Sequence, residues 1–125
     1  MTKQELQTFE DRLQEMGYRK YLTTIHGADY AWFKSFGKSK HEEGRCNYQI
    51  AFSIYDFSPY AYRDDSLRKN PYGCTPSILL SRCIEERVDL EISSIGIDRT
   101  NIEHIEELAQ SFYEWAELNI KIKTE

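Results

Sequence analysis

The sequence predicts an α+β fold. It would be an antiparallel sheet of about four to five strands, with amphipathic N- and C-terminal helices packed on one face as a two-layer sandwich. Two observations carry this. Apolar residues recur at steps of three and four near both ends of the chain, and in the middle they alternate with polar ones at the period of a strand. Helices and strands with one apolar face each must bury those faces together, and two helices over one face of a sheet is the natural solution.

The first helix opens at Thr2 and Glu5, whose capping-box spacing lets each side chain satisfy a free backbone N–H of the first turn. Leu6, Phe9, Leu13 and Met16 then form one stripe, and Gly17 supplies the left-handed residue on which helices often stop. Residues 18–24 are rich in aromatic and β-branched side chains and read as a strand, followed by a turn over 26–29. Residues 30–36 form a second strand, and the polar stretch 37–45 a hairpin loop. Residues 46–57 are the clearest strand, with Tyr48, Ile50, Phe52 and Ile54 alternating with Asn47, Gln49, Ala51 and Ser53.

Residues 58–74 hold two prolines, a glycine and no periodicity, and read as one long loop. Residues 75–87 fit two templates. Thr75-Pro76 suits a helix start, while Ile78, Leu80 and Ile84 alternate as in a strand. The strand is preferred because residues 88–94, with Val88, Leu90 and Ile92 alternating with Asp89 and Glu91, need an antiparallel neighbour. The last helix begins at a second capping box, Thr100 and Glu103. It carries a broad apolar face of Ile102, Ile105, Leu108, Ala109, Phe112, Trp115 and Ala116, with Lys121 and Lys123 near its C-terminal end. Its acidic run, Glu103, Glu106, Glu107, Glu114 and Glu117, reads as a solvated face.

The 125 residues suit a single domain spanning 1–125, whose core needs no metal or disulfide for support. No apolar run approaches the ~20 residues of a membrane span, no signal peptide is expected at the N-terminus, and three cysteines form no CxxC pair, so a cytoplasmic location is expected. Residues 1–73 carry 11 Lys/Arg against 10 Asp/Glu, and residues 74–125 carry 5 against 11, for a net charge of −5. An acidic chain gains no general attraction to phosphate backbones, so nucleic-acid binding would need a local basic patch.

No phosphate-binding loop, HExxH, GxSxG or Cys–His signature occurs. His26, His41 and His104 lack identifiable partners, and the donors His41, Glu42, Glu43 and Cys46 lack metal-site spacing, so no metal or cofactor is expected. Cys46 and Cys83 read as small core residues, and Cys74 as a loop thiol. These absences point away from an enzyme without deciding the matter.

The richest candidate is the long loop and its entry. Tyr55, Phe57, Tyr60, Tyr62 and Tyr72 are interleaved there with Arg63, Arg68 and Lys69. Tyrosine and arginine anchor interfaces because they bury area with few rotors and keep a polar handle. The leading reading is therefore a binding module, an adaptor, inhibitor or chaperone-like protein, whose partner is another protein. An exposed sheet face bearing Trp32 or Tyr30 would also support a homodimer. A second reading is a single-stranded nucleic-acid binder. There the loop and a basic hairpin (Lys34, Lys38, Lys40, Arg45) would share one rim if both lay at the same end of the sheet. The third and weakest is a metal-dependent hydrolase or nuclease using Asp56, Asp64, Asp65, Asp89 and Glu91.

Overall fold

The computed structural model describes residues 2–22, 28–38, 46–55, 76–84, 87–93 and 98–120. In chain order they form helix α1 (Lys3–Glu15), strands β1 (Arg19–Tyr21), β2 (Tyr30–Lys38), β3 (Cys46–Ile54), β4 (Ser77–Ile84) and β5 (Arg87–Ser93), and helix α2 (Ile102–Asn119). The strands make one five-stranded sheet in the order β1-β2-β3-β4-β5, every neighbouring pair antiparallel. This is the predicted α+β class. The stretch that fitted two templates is a strand: β4 pairs with β3 on one side and β5 on the other.

Both helices cover one face. Leu6, Phe9 and Leu13 of α1 and Ile102, Ile105, Ala109, Phe112 and Ala116 of α2 share a core with Tyr48, Ile50, Phe52 and Ile54 of β3 and Ile78 and Leu80 of β4. Each aliphatic or phenylalanine side chain buried there is worth roughly 1.5–3 kcal/mol. Aromatic edges bind the layers: Phe9 and Tyr18 meet the Phe52 ring at 5.5 and 5.4 Å, and Phe112 meets Tyr48 at 5.8 Å. Among the described residues, no helix is long and apolar enough to cross a membrane.

The α1 signals act as predicted. The Glu5 N–H donates to Thr2 Oγ1 at 3.1 Å, the Thr2 N–H to Glu5 Oε1 at 3.3 Å, and Gly17 sits at φ 94°. The first strand is shorter than expected, because the Tyr18 N–H is still bonded to Leu13 O of the helix. β2 runs on through Gly37 and Lys38, which were expected in the loop. A register shift between Ser35 and Gly37 lets it continue, and the Tyr113 ring packs so close to Gly37 that a Cβ there would stand 2.8 Å from Tyr113 Cδ2. A second shift, between Arg82 and Cys83, sets Val88 opposite Cys83, while Leu90 and Ile92 oppose Arg82 and Leu80. The three apolar residues of β5 therefore do not share a face.

The start of α2 corrects the second capping box. Asn101 is the N-cap and accepts from the His104 N–H at 3.1 Å. Thr100 instead turns back, donating through its N–H and Oγ1 to Asp98 Oδ1 at 2.9 and 2.6 Å. Those two bonds, the hydroxyl's first, hold the Asp98 carboxyl below its ordinary value. Trp115, expected on the apolar face, is 50% exposed. Lys121 and Lys123 lie outside the described residues.

Candidate functional site

Of the eight residues expected to bind a partner, Tyr55 is described. It follows β3 directly and is half-buried, whereas Phe57, Tyr60, Tyr62, Arg63, Arg68, Lys69 and Tyr72 lie outside the described residues. The topology does bear on the shared rim. The chain enters β3 at Cys46 from the hairpin and leaves at Ile54 for the long segment, so the two connections are rooted at opposite ends of one strand. At about 3.3 Å per residue those ends are about 26 Å apart. One member of the hairpin's basic set is committed elsewhere. Lys34 Nζ is half-buried and bonded to both Glu106 carboxylate oxygens at 3.2 and 3.3 Å, and Lys40 and Arg45 lie outside the described residues.

The exposed aromatic face expected around Tyr30 and Trp32 is also corrected. Both point into the helix-covered layer, and Trp32 is 8% exposed. Glu10 of α1 accepts from the Tyr30 hydroxyl at 2.9 Å and from Trp32 Nε1 at 2.6 Å. One carboxylate thus ties α1 to β2 through two charge-assisted bonds.

Between the sheet and α2 runs a line of polar groups that the sequence reading assigned to solvent. Glu106 takes Lys34, and Glu117 accepts from the Tyr48 hydroxyl at 2.8 Å. On the next strand Arg82 is fully buried, flanks that hydroxyl, and donates from Nη1 to the Ile120 carbonyl at 2.8 Å. Burial, then the bond to Glu117, pushes the Tyr48 hydroxyl's ionisation upward, with Arg82 opposing. Tyr18, beneath Lys34, is held neutral more strongly by burial and by the nearby Glu106 carboxylate, and its hydroxyl has no hydrogen-bond partner among the described residues. Glu103 pairs with Arg12 of α1, so three of the five acidic residues of α2 reach partners on other described elements. Two signals were available: Arg82 falls in the apolar alternation Ile78, Leu80, Ile84, and Glu106 and Glu117 flank the α2 stripe.

The opposite face of the sheet carries no described helix. Its side chains follow from register: Arg19 lies opposite Phe33, Tyr21 opposite Ala31, and Ser35 opposite Gln49. Tyr21 and Phe33 make an edge-to-face pair at 5.5 Å. With Arg19, Leu22, Ser35 and Gln49 they line an open groove of about 720 Å³. Tyr21 is 49% exposed and Leu22 87%. Arg19 forms no ion pair with a described residue.

Among the described residues, no three His, Cys, Asp or Glu side chains gather at metal-binding distance. Glu91 is exposed on β5, and Asp56, Asp64 and Asp65 lie outside the described residues, as do His26, His41 and Cys74. Cys83 is buried, its Sγ 3.7 Å from Ser81 Oγ and 4.0 Å from Gln49 Oε1, with no imidazole beside it among the described residues. His104 is exposed in the first turn of α2. No protein-family model matches this chain, and neither a curated protein nor a solved structure matches it.

Proposed function

We propose that the chain is a non-enzymatic cytoplasmic binding module that engages another protein through the sheet face that carries no described helix. One observation carries the reading. The Tyr21–Phe33 pair, the exposed Leu22 and Arg19, which has no ion pair to a described residue, line one groove beside a three-residue edge strand. Aromatic rings next to an arginine and neutral polar groups are the composition of interface anchors. Among the described residues, β1 pairs with Ala31, Trp32 and Phe33 of the nine residues of β2, which offers an extended partner segment sheet edge to pair with as well as rings to pack on. In the proposal the aromatic and basic residues from Phe57 to Tyr72 add to the contact with the same partner. A homodimer would use the same face.

The test is a tagged pull-down from native lysate with and without nuclease, comparing wild type with Arg19→Ala/Tyr21→Ala and with Tyr60→Ala/Tyr62→Ala/Arg63→Ala. The proposal expects a specific protein retained after nuclease and lost from the first variant, with folding unchanged. Loss from the second variant as well would extend the site to the long segment. Retention that vanishes with nuclease, or equal retention by the first variant, would overturn the assignment. Light scattering on the purified chain reads the homodimer directly.

A further inference from the structure

A second recess lies farther across the same sheet face, where β3 ends and β4 begins. It encloses about 210 Å³ and is lined by Ser53, Tyr55, Ser77, Leu79, Ser93 and Arg99, with Ile78 behind them. That is close to the volume of seven liquid waters at about 30 Å³ each, enough for a small polyatomic ion and below the ~300 Å³ of drug-sized pockets.

Two of its hydroxyls are brought together by register. Ser53 of β3 lies opposite Ser77 of β4, at a strand spacing of about 4.8 Å. Ser93 of β5 lies opposite Leu79, on the same face but diagonal to Ser77 at about 7–8 Å. A hydroxyl rotates to donate or accept and does not by itself select a charge. Selection comes from the rest of the lining. Arg99 is a half-buried cation that forms no ion pair with a described residue, and no carboxylate is among the described residues that line the recess. The carboxylate next to it in sequence, Asp98, is engaged by Thr100. Among these described groups a cation would meet a guanidinium and no negative charge. An oxyanion would meet one planar fork of N–H donors and several hydroxyls.

We propose that this recess binds a tetrahedral oxyanion, either free phosphate or the phosphate of a monoester, with Arg99 as the charged anchor and Ser53 and Ser77 as hydroxyl donors. A guanidinium fork and hydroxyls from two neighbouring strands approach an anion from different directions, which suits a tetrahedral group better than a planar carboxylate. This stands independently of the protein-binding face, since it uses no residue of the Tyr21–Phe33 groove.

The experiment is a ¹⁵N–¹H NMR titration of the full chain with inorganic phosphate, and separately with phenyl phosphate, against chloride at constant ionic strength. Saturable shifts at the amides of Ser53, Ser77, Ser93 and Arg99 are expected, weakened at least tenfold in Arg99→Gln and less in Arg99→Lys. Tighter binding of phenyl phosphate identifies a monoester as the source, and tighter binding of inorganic phosphate the free ion. Shifts that never saturate, that scatter over lysine-bearing surfaces, or that persist unchanged in Arg99→Gln would overturn the proposal. Should Arg99→Gln not fold, Ser77→Ala carries the same comparison, with at least a threefold loss expected.

Discussion

Replacing Arg82 by methionine tests how the C-terminal helix is held to the sheet. The guanidinium is fully buried, donates to the Ile120 carbonyl at 2.8 Å, and flanks the Tyr48 hydroxyl that donates to Glu117. Methionine keeps the apolar stem and close to its volume, so little of the loss comes from a cavity. What disappears is the charge and its donors. Ile120 loses its partner, and Glu117 keeps a half-buried charge with the nearby cation gone. Removing one member of a buried ionic arrangement costs about 3–5 kcal/mol, and the partial exposure of Glu117 argues for about 3. Against a typical total of about 5–15 kcal/mol this is a large fraction, near 2 M in urea midpoint at a slope of about 1.5 kcal/mol per molar. The discriminating measurement is a double-mutant cycle by urea unfolding. Arg82→Met with Glu117→Gln should cost at least about 1 kcal/mol less than the two single losses added, because the second change removes the stranded charge. A single-variant loss below about 1 kcal/mol, or strict additivity at an unchanged slope, would refute the reasoning.

Two further outcomes follow from the same contacts. The Tyr18 and Tyr48 hydroxyls are both held neutral in the fold, so their stabilisation is complete below the unfolded tyrosine value near pH 10 and is lost as pH rises above it. Stability should fall there by about 1.4 kcal/mol per pH unit for each, and absorbance at 295 nm should leave at least two of the nine tyrosines un-ionised until the chain unfolds; titration of all nine together in the folded state would contradict this. At the start of α2, Asn101→Ala should cost about 1 kcal/mol while Thr100→Val leaves the cap intact. In Thr100→Val the Asp98 carboxyl, read by NMR, should rise toward its ordinary value. Because its value is depressed in the fold, Asp98 stabilises above the unfolded aspartate value and loses that contribution as pH falls through its own.

The legible parts of the fold were the local ones. The α1 cap, its stripe and Gly17 all lie within one helix, so spacing alone exposes them. The alternation of β3 is equally local. β4 was ambiguous because its apolar residues satisfy two periods, and what decides it is pairing with strands on both sides, a tertiary fact. Arg82, Glu106 and Glu117 were hidden for a different reason. Composition assigns charge to solvent by default, yet each of these side chains has a partner on another element, and partners distant in sequence leave no spacing to read. The end of α2 showed the reverse error: Trp115 fits the apolar stripe by type but stands half-exposed at its margin. Arg19, Tyr21 and Phe33 were not singled out from sequence, because the register that sets Arg19 beside Phe33 and Tyr21 beside Ala31 is a tertiary fact.

The two faces of the sheet divide the charged residues by use, and that division is what directs the search for function. On the helix side Lys34 is bonded to Glu106, Glu117 to Tyr48, Arg82 to Ile120 and Glu10 to Tyr30 and Trp32. Groups committed in this way hold the layers in one arrangement, and a ligand could reach them only by breaking bonds that α1 and α2 depend on. On the other side Arg19 and Arg99 stand in recesses without an ion pair to a described residue, among hydroxyls, amides and rings that can still accept or donate. The two are rooted at different points of the sheet, Arg19 on the β1 edge and Arg99 just before α2. A partner protein on the first and an oxyanion in the second would therefore be separable by mutation: Arg19→Ala should leave phosphate binding unchanged, and Arg99→Gln should leave capture of the partner unchanged in phosphate-free buffer.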